Sequence, residues 1–583
     1  MGLSKKKEVS PLEINISQER VDKIKKWFDT LPWFSIVLLV ALFLSSFAIE
    51  FSFLNGWLIA YGDAQSHLNI AKRVVDSITP GFAQLGGIWL PLPHLLMIPF
   101  VKIEILYRTG LAGSIVGGTA FIISCLYIYK IVYFVSKNYL ASFLSFLVFA
   151  LNPNMLYLQT TALTEPVLIC FFILSSYYMV RFIAIALINK QLKTINEKDA
   201  HREFLFLISA AFFGLCASLS RYDGWSLVMV EAVIVIIVYL PVRQYITVLK
   251  EKKLKAPFII VKNKFSLNKK TFGKIQGALI LFSILAFIGI AFWFAWDGMI
   301  LDDPLYFTDS PYAAKAQQLS WKARNELPAD HNINLAFQYY FFDSMSNVGV
   351  IVFVIFIIGT IFYLNKNRNL FAYLFTLLFF VPFIFNVTTL FMGQSIIFIP
   401  HITPYNFEYK LFNVRYGILM LPAAAIFYGL LFYYSKNKTR LLLIFLIILQ
   451  MGLYLSRYSP VIALQDGLTG VSASKITSAD IWMTKNYDGG LVLMDDFARS
   501  INIIKTGIPM QNIIYIGNKP YWQISMKEPE KYATWIVVQK NDAVWTHIYT
   551  QPAMKARLYK YFNKDYTSPN ILIFKRMQKG STR

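Results

Sequence analysis

The sequence predicts a multi-pass α-helical membrane protein with about eleven transmembrane helices and a C-terminal extracytoplasmic α/β domain. Three observations carry this. Hydrophobic residues make up 56% of the 583 and charged residues only 15%, where a soluble chain has roughly a quarter charged; mean hydropathy is +0.49. Apolar runs near the length of a bilayer span, roughly twenty residues, recur along the first 457 positions. Beyond them, short apolar strands alternate with helix-like stretches, the pattern of a small α/β unit.

The spans fall near 33–54, 111–134, 139–158, 166–186, 204–220, 225–242, 276–296, 346–364, 369–390, 415–435 and 441–457. Residues 1–32 form a basic cytoplasmic leader, in which Ile14 to Trp27 suits either a surface amphipathic helix or a partly disordered tail. Orientation follows from the cations. In the loop 243–275, Arg243, Lys250, Lys252, Lys253, Lys255, Lys262, Lys264, Lys269, Lys270 and Lys274 oppose one acid, Glu251, so the loop is cytoplasmic by the positive-inside bias. The net charge of +23 is thus spread over membrane loops rather than gathered on a face for nucleic acid. The apolar stretch 88–108 holds Pro91, Pro93, Pro99, Lys102 and Glu104; counting it as a span would export the cationic loop, so it reads as an interfacial helix. The N-terminus is then cytoplasmic and the C-terminal domain, 458–583, extracytoplasmic, with strands expected at Gly490–Met494, Asn512–Ile516, Thr534–Val538 and Asn570–Phe574. Cys125, Cys170 and Cys216 lie in apolar runs and form neither a disulfide framework nor a zinc spacing.

Ionisable residues at span ends are the candidates for chemistry, because the bilayer makes them costly. Four places stand out, all outside in this topology. Asp63 and His67 in the outer loop 55–110 are four apart and share a helical face: a general base, a metal pair, or a plain helix cap. Glu165, before Pro166, is either a helix start or a second carboxylate facing that loop. Arg221, Tyr222 and Asp223 are an interfacial ion pair with Trp225 as anchor, or an arginine set for a phosphate. Arg415 and Tyr416 admit the same two readings. The loop 297–345 mixes Asp297, Asp302, Asp303 and Asp309 with Tyr306, Phe307, Tyr312 and Trp321, which suits sugar or lipid headgroups equally. Asp495 and Asp496 follow an apolar strand, where α/β domains often keep ligand-contacting groups.

Taken in order, Asp63 after the first span, Leu90-Pro91-Leu92-Pro93-His94, Glu165 before the fourth span and the pairs Arg221-Tyr222 and Arg415-Tyr416 resemble the GT-C superfamily of glycosyltransferases. The likeness is nearest to the dolichyl-phosphate-mannose protein mannosyltransferase and aminoarabinose transferase branch. It covers 33–300 well and 301–457 more loosely. The resemblance implies an inverting glycosyltransferase that takes a sugar from a polyprenyl-phosphate donor to a hydroxyl of a lipid, glycan or protein acceptor at the outer membrane face. Asp63 and Glu165 are then the catalytic acids. Arg221, Tyr222, Asp223, Arg415, Tyr416 and His94 bind the donor phosphate or substrate. Asp63, His67 and Glu165 are the positions where a divalent metal would sit. Many relatives carry adjacent acids where this chain has Asp63-Ala64, and Glu165 has no second carboxylate nearby, so a metal is admitted rather than required. His67 and His94 could orient the sugar, hold that metal or cap interfacial structure. A polytopic transporter or lipid-linked sugar flippase is the alternative; it favours midplane charges and broken, repeated spans, and no two-fold repeat is visible.

Overall fold

The computed structural model describes residues 31–190, 196–240, 269–310, 313–496 and 500–577. The expected leader helix, most of the cationic loop 243–275 and residues 191–195 of the loop before the fifth span lie outside them. Among the described residues, eight helices are long and apolar enough to cross a membrane, or nine if one bent pair counts as a span. In a hydrocarbon solvent every backbone N–H and C=O must be satisfied within the segment, which is why these runs are helical.

In chain order the helices are α1 (Trp33–Leu54), α2 (Gly62–Val75), α3 (Leu92–Val101), α4 (Glu104–Thr109), α5 (Leu111–Ser136), α6 (Tyr139–Ala150), α7 (Pro153–Leu158), α8 (Glu165–Asn189), α9 (Glu197–Ser218) and α10 (Asp223–Tyr239). There follow α11 (Lys269–Leu301), α12 (Ile333–Val348), α13 (Val350–Lys366), α14 (Leu370–Phe391), α15 (Leu421–Tyr434), α16 (Asn437–Leu455) and α17 (Ile462–Thr469). Several starts are written in the sequence as asparagine caps: Asn138, Asn152, Asn196 and Asn369 each accept a hydrogen bond from a backbone N–H three residues on.

Each expected span meets a helix, with three differences. The stretch 139–158 is broken: α6 has 12 residues, and Asn152-Pro153 starts a separate short helix, α7, since proline at the first helical turn suits a start and not a continuation. The span expected from 346 begins at Val350, because Gly349 at φ +94° ends α12 and turns the chain by 112° into α13. The stretch before Leu421 is a 3₁₀ segment, Val414–Met420, entered through Asn413 at φ +55°. The proline-rich stretch 88–108 is two short helices, α3 and α4, too short to cross, as its prolines and charges predict.

The C-terminal sheet has order β2-β1-β3-β5-β4, from β1 (Val492–Leu493), β2 (Ile513–Ile514), β3 (Trp535–Gln539), β4 (Phe562–Thr567) and β5 (Ile571–Arg576). β1 pairs in parallel with β2 and β3, and β5 runs antiparallel to β3 and β4. Four strands fall where the sequence places them. The fifth, β4, reads Phe-Asn-Lys-Asp-Tyr-Thr and is an exposed edge, a polar composition that hides a strand from hydropathy and protects the edge from unwanted pairing.

The α/β segment is clasped to the segment between α1 and α5. Tyr61 bridges to Ala473, Gly62 N–H donates to Ser472 O at 2.9 Å and Ser474 N–H to Ala60 O at 2.7 Å. The Arg108 guanidinium donates to the carbonyls of Ile503 and Ile508 at 2.7 and 3.2 Å, and Asn518 Nδ2 to Thr79 Oγ1 at 2.9 Å.

Small residues set the approach to Glu165. A Cβ on Gly117 of α5 would lie 2.4 Å from the Gln159 carbonyl oxygen, and one on Gly113 the same distance from Ala162 Cβ, so these glycines seat the segment 159–164 against α5, as small residues do at close helix contacts. Gly117→Val should displace that backbone. We expect a loss of about 1–3 kcal/mol, the usual cost of overpacking, seen as a lower melting midpoint of the detergent-solubilised protein.

Candidate active site

Asp63 lies in the first turn of α2, a favourable place for a carboxylate, but the cap is Tyr61, so Asp63 is not held there by a capping role. Glu165 opens α8 next to Pro166 and is fully buried. Arg221 stands between α9 and α10. Arg415 rides the 3₁₀ turn, whose Gly417 packs so tightly that a Cβ would lie 2.4 Å from the Asp343 carbonyl oxygen.

These four side chains form one ionic chain. Arg415 Nη2 donates to Asp63 Oδ2 at 2.6 Å and Arg415 Nε to Glu165 Oε1 at 2.9 Å. Arg221 Nη1 donates to the same Oε1 at 2.9 Å and to Thr164 Oγ1 at 3.1 Å, and Arg221 Nε to Asp223 Oδ2 at 3.1 Å. Asn386 Nδ2 on α14 donates to the other oxygen of Asp223 at 3.3 Å. Side-chain exposure separates the acids: 21% for Asp63 and 1% for Glu165. Burial pulls the Arg221 pKa down, but Glu165 and Asp223 outweigh it and hold the guanidinium above its ordinary value. The Tyr416 ring lies 4.9 Å from the Arg221 guanidinium and 5.2 Å from that of Arg415, a cation–π contact with both.

Two further residues come from the segment after the last span, and sequence reasoning missed them. Ser472 Oγ accepts from Arg415 Nη1 at 3.3 Å, and Asp466 Oδ2 is 4.0 Å from the same nitrogen and accepts from Tyr61 OH at 3.4 Å. Asp466 is fully buried on α17; an acid in an otherwise weakly polar helix is its one sequence signal. Burial pushes its carboxyl up to about 7, with Asp63 adding to the rise and Arg415 opposing it. A carboxyl raised above its ordinary 3.8 favours the folded chain below that value, and the benefit is lost as pH climbs through about 7. The melting midpoint should therefore fall from pH 4 to 8, and the Asp466→Asn protein should show a flatter profile; an unchanged slope would exclude Asp466 as its source.

The ionic chain forms part of the wall of a cavity of about 950 Å³. Asp63, Glu165, Arg221, Arg415 and Tyr416 line it, with Ser66, His67 and Trp89 beside Asp63. Tyr306 and Trp321 of the loop 297–345 reach it, and Arg73, Asp496, Tyr515 and Lys519 line the part next to the α/β segment. Arg73 there is ion-paired to Asp496, its guanidinium 4.0 Å from the Tyr515 ring centre. Three candidates stand behind the wall instead. Tyr222 OH donates to Ile88 O at 2.6 Å and its ring stacks on Phe307; Asp223 holds Arg221; His94 is buried against His67. The proposed metal positions do not gather as a ligand set. Asp63 and Glu165 both face Arg415, His67 Nδ1 faces His94 Nε2 at 2.9 Å, and no group of three His, Cys, Asp or Glu among the described residues fits a metal ion.

No family model and no curated protein matches the sequence. Among solved structures, ArnT from Cupriavidus metallidurans bound to undecaprenyl phosphate aligns over 94% of this chain and 98% of its own, at 9% identity and a TM-score of 0.53. Its apo form aligns over 95% and 98%, at 10% identity and a TM-score of 0.50. The Archaeoglobus fulgidus oligosaccharyltransferase tethered with an acceptor peptide aligns over 95% of this chain and 75% of its own, at 12% identity and a TM-score of 0.45. Over 94% of its length the chain thus shares the fold of ArnT.

Proposed function

We propose that this protein is an inverting glycosyltransferase that moves a sugar from a polyprenyl-phosphate-linked donor to an acceptor hydroxyl on the outer face of the membrane. One observation carries the reading: Asp63 and Glu165 meet on a single guanidinium, Arg415, at the wall of a cavity large enough for a sugar substrate. The fold of ArnT, an enzyme solved with undecaprenyl phosphate bound, supports it.

In this reaction Asp63 accepts the proton of the acceptor hydroxyl as its oxygen attacks the anomeric carbon. The bond from that carbon to the phosphate oxygen breaks, and the electron pair leaves with the lipid phosphate. Arg221 and Arg415 face the charge that develops there, which is electrostatic stabilisation by prepositioned donors. A retaining route would need a second carboxylate acting as nucleophile. Glu165 is buried with one oxygen shared by two arginines, an arrangement that positions the guanidinia and favours single displacement. Tyr416 lies against both arginines and completes that wall.

The test is transfer by purified protein in liposomes, with radiolabelled dolichyl- and undecaprenyl-phosphate sugars as donors and a membrane extract as acceptor. One donor should support transfer with inverted anomeric configuration. Retention, or no transfer from any donor by folded protein, would refute the reading and return weight to a transporter or flippase.

The same reading places the N-terminus in the cytoplasm and the α/β segment outside. Cysteines introduced at Lys264 and at the exposed Lys540 should be labelled by an impermeant maleimide from opposite sides of the membrane. Labelling of both from one side would overturn the topology.

A further inference from the structure

His67, Trp89 and His94 form a cluster next to Asp63 that the ionic chain does not use. The face of α2 presenting Asp63, Ser66, His67 and Ile70 lines the cavity, at the i, i+3, i+4, i+7 spacing of one helical stripe. His67 is therefore about one turn from Asp63, about 6 Å along the axis. The Trp89 ring centre is 4.5 Å from that of His67, with the planes tilted by 54°, and Trp89 lines the same cavity. The backbone leading to Trp89 is pressed against α11: a Cβ on Gly87 would lie 2.1 Å from Leu301 Cδ1 and 2.7 Å from Asp297 Oδ1.

His94 is fully buried on α3 and absent from the cavity wall, and its Nε2 lies 2.9 Å from His67 Nδ1. Burial first and His67 second hold the His94 imidazole well below its ordinary pKa, so it is neutral. The contact turns His67 Nδ1 back toward His94 and so fixes the orientation of the ring that lines the cavity. Orienting partners of this kind set the tautomer of functional histidines. A buried imidazole is costly unless its polar atoms find partners, and the partner that His94 meets at Nε2 is His67.

We propose that Trp89 and His67 are the sugar-binding wall of the cavity, taking the apolar face and a ring hydroxyl of the donor sugar, and that His94 is the positioning residue that orients His67. The proposal rests on the glycosyl-transfer reading and specifies its substrate class: a sugar with an unsubstituted hydroxyl on the side facing α2. An indole offers a broad apolar surface, and a site built to hydrogen-bond a hydroxyl discriminates strongly against analogues that lack it.

The experiment measures binding without acceptor, so it is separate from transfer. Purified protein in nanodiscs is titrated with bare undecaprenyl and dolichyl phosphate and with their sugar-bearing forms, and the gain in affinity due to the sugar is read for each variant. Wild type should bind one sugar-bearing lipid more tightly than the bare lipid. Trp89→Ala and His67→Ala should each reduce that gain about tenfold, the scale of one lost contact, with bare-lipid affinity unchanged. His94→Phe should behave like His67→Ala, and His94→Gln, which restores a hydrogen-bonding group, should recover most of the gain. A gain that survives in the Trp89 and His67 variants, or is missing in wild type for every sugar, overturns the wall. A His94→Phe protein with the full gain overturns the positioning role. A wild type that shows the gain yet transfers nothing would sink the transferase reading and leave the wall standing; one that transfers while its variants keep the gain would do the reverse.

Discussion

Asp63→Asn should reduce transfer by roughly 10²–10⁴-fold, the usual contribution of a general base, while leaving the fold in place. Asparagine has the same shape and keeps a carbonyl oxygen for Arg415 Nη2, which now donates to Asp63 Oδ2 at 2.6 Å. Arg415 also retains Glu165 through Nε at 2.9 Å, so the buried guanidinium does not lose all its charge partners. The melting midpoint should accordingly shift little, and donor affinity should be kept, because the change removes a proton acceptor rather than a wall of the cavity. Single-turnover transfer in liposomes, alongside a melting curve, separates these effects. A variant that keeps more than a tenth of the wild-type rate would show that another group takes the proton.

Arg415→Gln should be the most destabilising of the charge substitutions. Its guanidinium stands among Asp63, Glu165 and, at 4.0 Å, Asp466, and its side chain is 5% exposed. Removing one member of a buried pair leaves an uncompensated charge, which costs about 3–5 kcal/mol. Arg415→Lys keeps the charge but replaces a planar fork by a point, so it cannot bond Asp63 and Glu165 in the present geometry; it should fold better than Arg415→Gln and still transfer poorly. Adding Glu165→Gln to Arg415→Gln should recover part of the stability, since Glu165, although still paired with Arg221 at 2.9 Å, is one of the buried charges that Arg415 no longer offsets. If the double variant melts no higher than Arg415→Gln, the cost lies in lost packing against Tyr61 and Tyr416 rather than in charge. Activity should not return in either case, because the proposed reaction needs the Arg415 guanidinium to offset the charge on the leaving phosphate.

The apolar helices were legible because hydropathy is a local property. A twenty-residue apolar run must be helical wherever it sits in lipid, and prolines with Lys102 and Glu104 mark 88–108 as unfit to cross. Asp63, Glu165, Arg221 and Arg415 were legible one at a time, as charges whose cost near a membrane asks for a reason. Each retained a bland reading as a cap or an anchor, since sequence spacing says nothing about whether residues 352 apart, like Asp63 and Arg415, touch. Only the packing of α2, α8 and the 3₁₀ turn around one cavity put them on a shared guanidinium. The return of the chain after its last span decided more. It brings Asp466 and Ser472 to Arg415 and sets Tyr61 against Ala463, 402 positions away. Contacts with Ile88, Arg221 and His67 place Tyr222, Asp223 and His94 behind the wall rather than in it. Composition and periodicity thus determined which segments are long apolar helices and which residues are costly beside them; which of those charges neutralise one another was decided by tertiary structure, because electrostatic pairing depends on distance in space.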